Sequence, residues 1–433
     1  MRGFAPDCPW RLDPGVTFLN HGSFGACPEP VMAARAAILE DLEANPMIAL
    51  ERAFEPRLDA ARAEVAAFIG ADPEGTVVVP NATAGVSTVL RSLRLRPGDE
   101  LLTTDHEYNA TLNALAAVAD EARARVVRVS IPLPIRDPRE VTEAILASVT
   151  PRTRLALVSH ITSPSGLVFP IEDIVRELDR MGVDTLVDAA HAPGMVPLDV
   201  TALGAAYWTA NGHKWLCGPK VCGVLVVRAD RRDHVRPLIT SHGANDPRAD
   251  RPRLWREFDW PGTQDPSPFL TLPFAIRLLG TLHPDGWPGL MAENREAAVR
   301  TRRRLLEALG GEPIAPEVML GSMASVALPP GLLATDDDAE ALRDALATEE
   351  RIEVPISPFP VPAARPSPTS RPSMFLVRVS RQRYVEDADV ERLIEALARR
   401  GIGSGVPARA AAPAVAAPPP GAAGSDPSAI VSG

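Results

Sequence analysis

The chain has 433 residues, and 45 Lys+Arg set against 55 Asp+Glu give a formal net charge of −10. That balance excludes nucleic acid as the main partner, because backbone binding needs clustered cations that release counterions. With 45% hydrophobic and 23% charged residues the composition is that of a globular protein. At roughly 150 residues per domain the length implies two or three domains, or one large and one small.

Cys8, Cys27, Cys217 and Cys222 form no CxxC pair, which argues against a disulfide framework and against a structural zinc site. The amino terminus, MRGFAPDCPW, has neither the charged nor the apolar region of an export signal, and no run of about 18 apolar residues follows. A soluble, cytoplasmic protein with no metal and no membrane partner is expected. Lys214 and Lys220 are the only lysines; every other cation is arginine.

In chain order, apolar residues at helical spacing predict helices over 29–44 and 50–69. Short β-branched runs then alternate with helical stretches: TVVVP at 76–80 with a helix from about 83, then ELLTT at 100–104 with a helix from about 108. RVVRVSI at 125–131, LALVSHI at 155–161, DTLVDAA at 184–190 and VCGVLVV at 221–227 continue the series. Strands that are apolar throughout are buried on both faces, so the fold class is α/β with a mainly parallel central sheet flanked by helices. Helical patterning resumes near Leu270 and runs to about 310. A strand at 324–328, an acidic helix at 336–349, a strand at 374–379 and a last helix, DADVERLIEALARRG, predict a smaller α+β domain. The organisation expected is an N-terminal segment over 1–20 packing with the small domain, a large domain over 21–285, a small domain over 286–405, and a disordered Ala/Pro-rich tail over 406–433.

Ligands of open parallel sheets collect beyond the carboxyl ends of the strands. Four predicted strands are followed there by NATAG, DHEYN, ITSPSG and DAAHAPG, and NGHKW closes the set. Each segment alone has an ordinary reading: a helix start, a core histidine, a turn cap. Lys214 is harder to set aside. A chain that uses arginine for its surface cations keeps this lysine beside Trp215 and an apolar run, where desolvation lowers an amine's pKa.

Together the parts describe a site for pyridoxal 5'-phosphate. The aldehyde requires one amine for a Schiff base, for which Lys214 is the candidate, and the ring nitrogen requires a carboxylate partner, for which Asp188 is the candidate. A helix amino terminus with a few donors suits a phosphate, and Thr83, Ala84, Asn211 and His213 supply them. His106 is placed over the ring face.

NHGSFG, PNATAGV, TDHEYNA, DAAHAPGM and NGHKWLCGPK, in this order, resemble the class V aminotransferase family of fold type I pyridoxal phosphate enzymes, and most closely its isopenicillin N epimerase branch. The likeness covers roughly residues 15–400 and implies that fold, with a large domain carrying the cofactor. It also implies Lys214 as the Schiff-base lysine, Asp188 as the ring-nitrogen partner, His106 as the ring-stacking residue and His191 near the ring. Asn211 and His213 would contact the phosphate. Thr263, in PGTQD, matches a threonine that the family donates from the neighbouring subunit, which implies a homodimer with shared active sites. Arg378, in LVRVS, matches the arginine that grips the substrate's α-carboxylate, with Asn20 and Ser23 beside it. Ser163 stands where related members place an asparagine near the cofactor's ring hydroxyl. The stretch VPISPFPVPAARPSPTSRP holds no cysteine, so the persulfide route of cysteine desulfurases lacks its nucleophile there; Cys217 and Cys222 are expected to pack inertly.

The activity implied is inversion at the α-carbon of an amino acid or amino-acid-containing metabolite, from L to D through a carbanion, in secondary metabolism. Lys214 is the base, and His106, or failing it Tyr108, is the second proton carrier. β-Elimination from a cysteine conjugate or sulfoxide is the alternative, with transamination and a turnover-less cofactor-binding regulator behind it.

Overall fold

The computed structural model describes residues 9–362 and 372–403. The expected tail over 406–433 and Cys8 lie outside the described residues. The strands among them are β1 (Thr17–Phe18), β2 (Thr76–Val79), β3 (Glu100–Thr104), β4 (Arg125–Val129), β5 (Thr153–Ser159), β6 (Asp184–Asp188), β7 (Tyr207–Asn211), β8 (Gly223–Val227), β9 (Met323–Ala327), β10 (Ile352–Glu353), β11 (Ile356–Phe359) and β12 (Met374–Ser380).

Seven of them make one sheet in the order β2-β8-β7-β6-β5-β3-β4. Only β8 runs against the others, antiparallel to both neighbours. Every residue of β3, β7 and β8 is buried; β8 accordingly reads as a continuous apolar run, while β3 buries Glu100, Thr103 and Thr104, and β7, which was not among the expected strands, buries Thr209 and Asn211. Successive side chains leave a strand on opposite faces, and the core divides accordingly. Leu102, Ala156, Val158, Val187, Trp208 and Val224 pack on one face, while Leu101, Leu155, Leu157, Leu186, Tyr207 and Leu225 pack on the other. β4 departs from the expectation of two buried faces: it is the sheet edge, and Arg125 and Val126 are exposed.

A second sheet, β11-β12-β9, is antiparallel. Its core joins Val326 and Val377 to Leu305, Leu346 and Leu393 of the helices Gly286–Leu309, Asp336–Glu349 and Asp387–Arg399. The acidic helix opens on a capping box between Thr335 and Asp338, so its carboxylates gather where the helix dipole favours them. β1 pairs in parallel with β10, tying the segment before residue 20 to this layer.

Two predicted helices are corrected. The helix expected over 50–69 begins at Phe54, because Ile48–Arg52 forms a separate π-helical turn. The pattern expected to run unbroken from 270 to 310 splits into Ser267–Gly280 and Gly286–Leu309. Pro284 lacks an N–H between them, and Gly286 sits at φ 65, which an L side chain adopts at a cost. Among the described residues no helix is long and apolar enough to cross a membrane.

Candidate active site

The parallel strands point their carboxyl ends at one cleft of about 340 Å³. β5 ends there at Ser159 and β6 at Asp188, which face each other in register. β7 ends at Asn211, and the loop after it delivers Lys214. The opposite wall is the start of the helix Ala82–Ser92, whose cap is Asn81.

Lys214 is half-buried, and its Nζ lies 3.1 Å from Nε2 of His191. Burial lowers the amine from the ordinary 10.5 to about 7; the Arg378 guanidinium adds to the depression and Asp188 opposes it. His191 is likewise driven well below its usual range, first by burial and then by the Lys214 charge, so its ring is neutral and its Nδ1 accepts from Trp215 Nε1 at 3.4 Å. An amine that is half deprotonated near neutrality is a nucleophile and a base.

Asp188 is held by two donors, the Ala190 N–H at 3.0 Å and the Thr111 hydroxyl at 3.2 Å. Burial pushes its carboxyl up despite them, so a cation brought to its free lone pairs is what would keep it ionised. Behind it lies a second buried carboxyl, Glu107, bonded to Ser159 N at 2.9 Å and to Ser159 Oγ at 2.5 Å. Burial drives Glu107 up to about 8.

At the other end of the cleft, the Ala82 N–H donates to Asn211 Oδ1 at 2.8 Å and the Ala84 N–H to Asn81 Oδ1 at 2.9 Å. Thr83 lines the cleft between them. Nδ1 of His213 is buried with no hydrogen-bond partner. A helix amino terminus with an orphaned imidazole nitrogen beside it is an anion pole. Amine, buried carboxylate and anion pole on one cleft fit pyridoxal phosphate: Lys214 would hold the aldehyde carbon, Asp188 the ring nitrogen, and Thr83 with His213 the phosphate.

Arg378, on β12, abuts the cleft from the second sheet through contacts to Ser163 and Ser23 of its lining. Its Nη1 donates to the Ser163 carbonyl, and its Nη2 lies 3.5 Å from Asn20 Oδ1 and 3.4 Å from Ser23 Oγ. It is 4% exposed and forms no ion pair among the described residues, and burial lowers it to about 10. A buried guanidinium without a carboxylate is built to receive one.

The structure thus brings together Lys214, Asp188, His191, Thr83, Asn211, His213, Ser163, Arg378, Asn20 and Ser23. Three expected residues are placed otherwise. His106 does not line the cleft: it is fully buried, Nδ1 bonds Ser165 Oγ at 2.8 Å, Nε2 bonds the Ile131 carbonyl at 2.9 Å, and its ring packs on Phe169 and Phe359. The amide of Ala84 is already engaged by Asn81. Thr263 is exposed in a separate groove beside Trp260 and Arg256, away from the Lys214 of its own chain. Tyr108, two residues after His106, lines the cleft instead and is 50% exposed. Sequence reasoning also passed over Asn81, Thr111 and Glu107; the position of Asn81 immediately before a helix was a readable N-cap signal.

The aminotransferase class-V family model matches residues 18–279. The chain is 36% identical over 400 residues to the isopenicillin N epimerase of Amycolatopsis lactamdurans, spanning 89% of this chain and 95% of that protein. It is 31% identical to the enzyme of the same name from Streptomyces clavuligerus, over 89% and 95% of the two chains. It is 28% identical to an L-cysteine desulfhydrase of Arabidopsis thaliana, over 88% and 87%. Among solved structures the fold is similar to the cysteine desulfurase CsdA of Escherichia coli, with a TM-score of 0.72 at 20% identity over 91% of this chain and 96% of that one. It is equally similar to the cystine C-S lyase C-DES, with a TM-score of 0.72 at 22% identity over 88% and 97%.

Proposed function

Since the chain belongs to the aminotransferase class-V family and is a pyridoxal phosphate-dependent enzyme, we propose that it inverts the α-carbon of an amino acid or amino-acid-containing metabolite. One observation carries this reading. A half-buried amine near neutrality, Lys214, shares its surroundings with a buried guanidinium, Arg378, that has no acidic partner among the described residues.

When bound, pyridoxal phosphate supplies the aldehyde that captures the substrate amine and a ring that accepts the electrons of the broken Cα–H bond. Arg378 grips the substrate carboxylate as a fork, with Asn20 and Ser23 orienting it, and so fixes the Cα–H bond relative to Lys214. Lys214 Nζ takes the proton from Cα. Asp188 holds the proton on the ring nitrogen. Inversion needs a proton returned from the other side of Cα, and we assign that donation to the Tyr108 hydroxyl, which enters the cleft from a different element than Lys214. His106, with both nitrogens engaged inside the core, is not the donor in this reading. In a homodimer, Thr263 of a second copy would complete the phosphate pole; its exposure away from its own cleft supports that arrangement.

The L-cysteine desulfhydrases among the relatives support a second reading, loss of a thiol from Cβ after the same Cα deprotonation. Desulfuration through an enzyme persulfide has less support, because no described cysteine lines the cleft and residues 355–373 contain none. The test is incubation with amino acids and cysteine conjugates in heavy water. Label at Cα with inverted configuration supports the epimerase; pyruvate and ammonia support elimination; no label in any compound overturns both.

A further inference from the structure

The helix His21–Phe24 contributes Asn20 and Ser23 at its edges to the Arg378 cluster, yet the residue between them, His21, points elsewhere. It is completely buried. Its Nε2 lies 3.1 Å from the Lys214 carbonyl oxygen, its Nδ1 lies 2.7 Å from the Tyr384 hydroxyl, and the Ala26 N–H reaches Nδ1 at 3.3 Å. A carbonyl only accepts, so Nε2 carries the hydrogen. Burial keeps the ring neutral, far below its ordinary range at about 3, so Nδ1 is left as the acceptor of the Tyr384 O–H. Gln382 Nε2 lies farther from the same nitrogen, at 3.5 Å, so the shorter contact to the carbonyl sets the direction from Tyr384 through His21 to the backbone of Lys214.

Other contacts press the same segment onto the lysine loop. A Cβ at Gly25, where φ is 68, would meet the His213 carbonyl at 2.0 Å, Lys220 Nζ donates to the Gly25 carbonyl at 3.0 Å, and the His21 and Trp215 rings lie 4.9 Å apart. Tyr384 follows β12, the strand that carries Arg378. One short helix thus touches both ends of the reaction centre: Asn20 and Ser23 at the guanidinium, His21 at the main chain that bears the amine.

We propose that His21 is a positioning residue, a hydrogen-bonded clamp that fixes the backbone of Lys214 against the Arg378 strand and so sets the amine-to-carboxylate spacing. The inference rests on Lys214 as the amine that bears the cofactor. A borohydride-reducible cofactor band that survives in Lys214→Ala without added amine would sink that reading; the clamp is tested separately, on the holoenzyme.

Glutamine places an amide N–H where the imidazole Nε2–H lies, whereas asparagine reaches only the Nδ1 position. The clamp predicts that His21→Asn weakens pyridoxal phosphate retention on the order of tenfold, the equivalent of one buried hydrogen bond, and moves the pH midpoint of the bound-cofactor band. His21→Gln should restore both to within about twofold of wild type. Tyr384→Phe, which keeps the ring packing on Trp10, should shift both measures in the same direction as His21→Asn but by less, about threefold in retention. Equal behaviour of the Gln and Asn variants would overturn the proposal. So would an unchanged band and retention in Tyr384→Phe with only the melting temperature lowered. If neither His21 variant folds, the Tyr384→Phe comparison alone decides.

Discussion

Nζ of Lys214 and Nε2 of His191 lie 3.1 Å apart, the imidazole buried and the amine half-buried, and no carboxylate forms an ion pair with the amine among the described residues. Without cofactor this amine is a strained element of the fold. Its proton affinity falls from 10.5 unfolded to about 7 folded, so between those values the unfolded chain binds a proton that the native chain does not. Stability then rises with pH across that window; the cost is full below about 7 and gone above about 10.5. Replacing Lys214 with methionine should stabilise the apoenzyme by a few kcal/mol at about pH 6.5 and by little near pH 10, at about 1.4 kcal/mol per pKa unit. Urea unfolding of the two apoproteins at both pH values checks this. A difference independent of pH would show that the amine is not desolvated.

Arg378 acts on the same amine from the second sheet, and its removal has two separable effects. Arg378→Gln loses a bidentate, charge-assisted grip on the carboxylate, so kcat/KM should fall on the order of 10²-fold. Because the guanidinium also depresses Lys214, its loss should move the acid limb of the pH–rate profile upward. Arg378→Lys keeps a charge but not the fork, and is expected to restore the limb more than the KM. An unaltered KM in both variants would remove Arg378 from the substrate site.

Much of this was legible in the chain because β2, β8 and the Leu155–Val158 part of β5 are unbroken apolar runs, whereas β7, with Thr209 and Asn211 buried in it, announced itself by no such run. Lys214 and Asp188 could be found for a related reason. Asp188 is the last residue of β6 and Lys214 stands three residues beyond the end of β7, and the carboxyl ends of parallel strands are where ligands collect. DHEYN was different. Between Thr104, where β3 ends, and Asn109, where the next helix starts, the turn decides which side chain meets the cleft. That choice is made by partners remote in sequence: the Ile131 carbonyl and Ser165 capture His106, leaving Tyr108 at the mouth. The break at 281–285 escaped for the converse reason, since apolar residues on both sides keep helical spacing while a local Pro-Asp-Gly turn interrupts it.

His106 and Tyr108 therefore separate by experiment. His106→Phe removes the contacts to the Ile131 carbonyl and to the Ser165 hydroxyl, which keeps Thr162 Oγ1 at 2.7 Å, so it should cost about 1–3 kcal/mol of stability while inversion per folded enzyme stays unchanged. Tyr108→Phe keeps the ring and removes the proton donor. Inversion should fall on the order of 10²-fold or more, while uptake of solvent deuterium with retained configuration continues through Lys214. Chiral chromatography with mass spectrometry reads both quantities. If His106→Phe abolishes inversion in well-folded protein, the assignment of Tyr108 is wrong.

Gly85 tests whether the anion pole depends on how closely the helix Ala82–Ser92 lies against β7. A Cβ at Gly85 would sit 2.0 Å from Thr209 Oγ1 and 2.8 Å from Thr209 Cβ, and that hydroxyl cannot turn aside freely because it donates to the Val224 carbonyl at 2.8 Å. Gly85→Ala must push the first helical turn off the strand, and overpacking of this kind costs about 1–3 kcal/mol. The same displacement pulls the Ala82 amide from Asn211 Oδ1 and carries Thr83 away from His213. Cofactor affinity should therefore drop on the order of tenfold or more, beyond what the lost stability explains, as the phosphate loses charge-assisted donors worth about 1.5–3 kcal/mol each. Fluorescence titration of the apoenzyme with pyridoxal phosphate, alongside thermal unfolding, measures both losses. A variant that is destabilised yet binds the cofactor as tightly as wild type would place the phosphate somewhere other than this helix start.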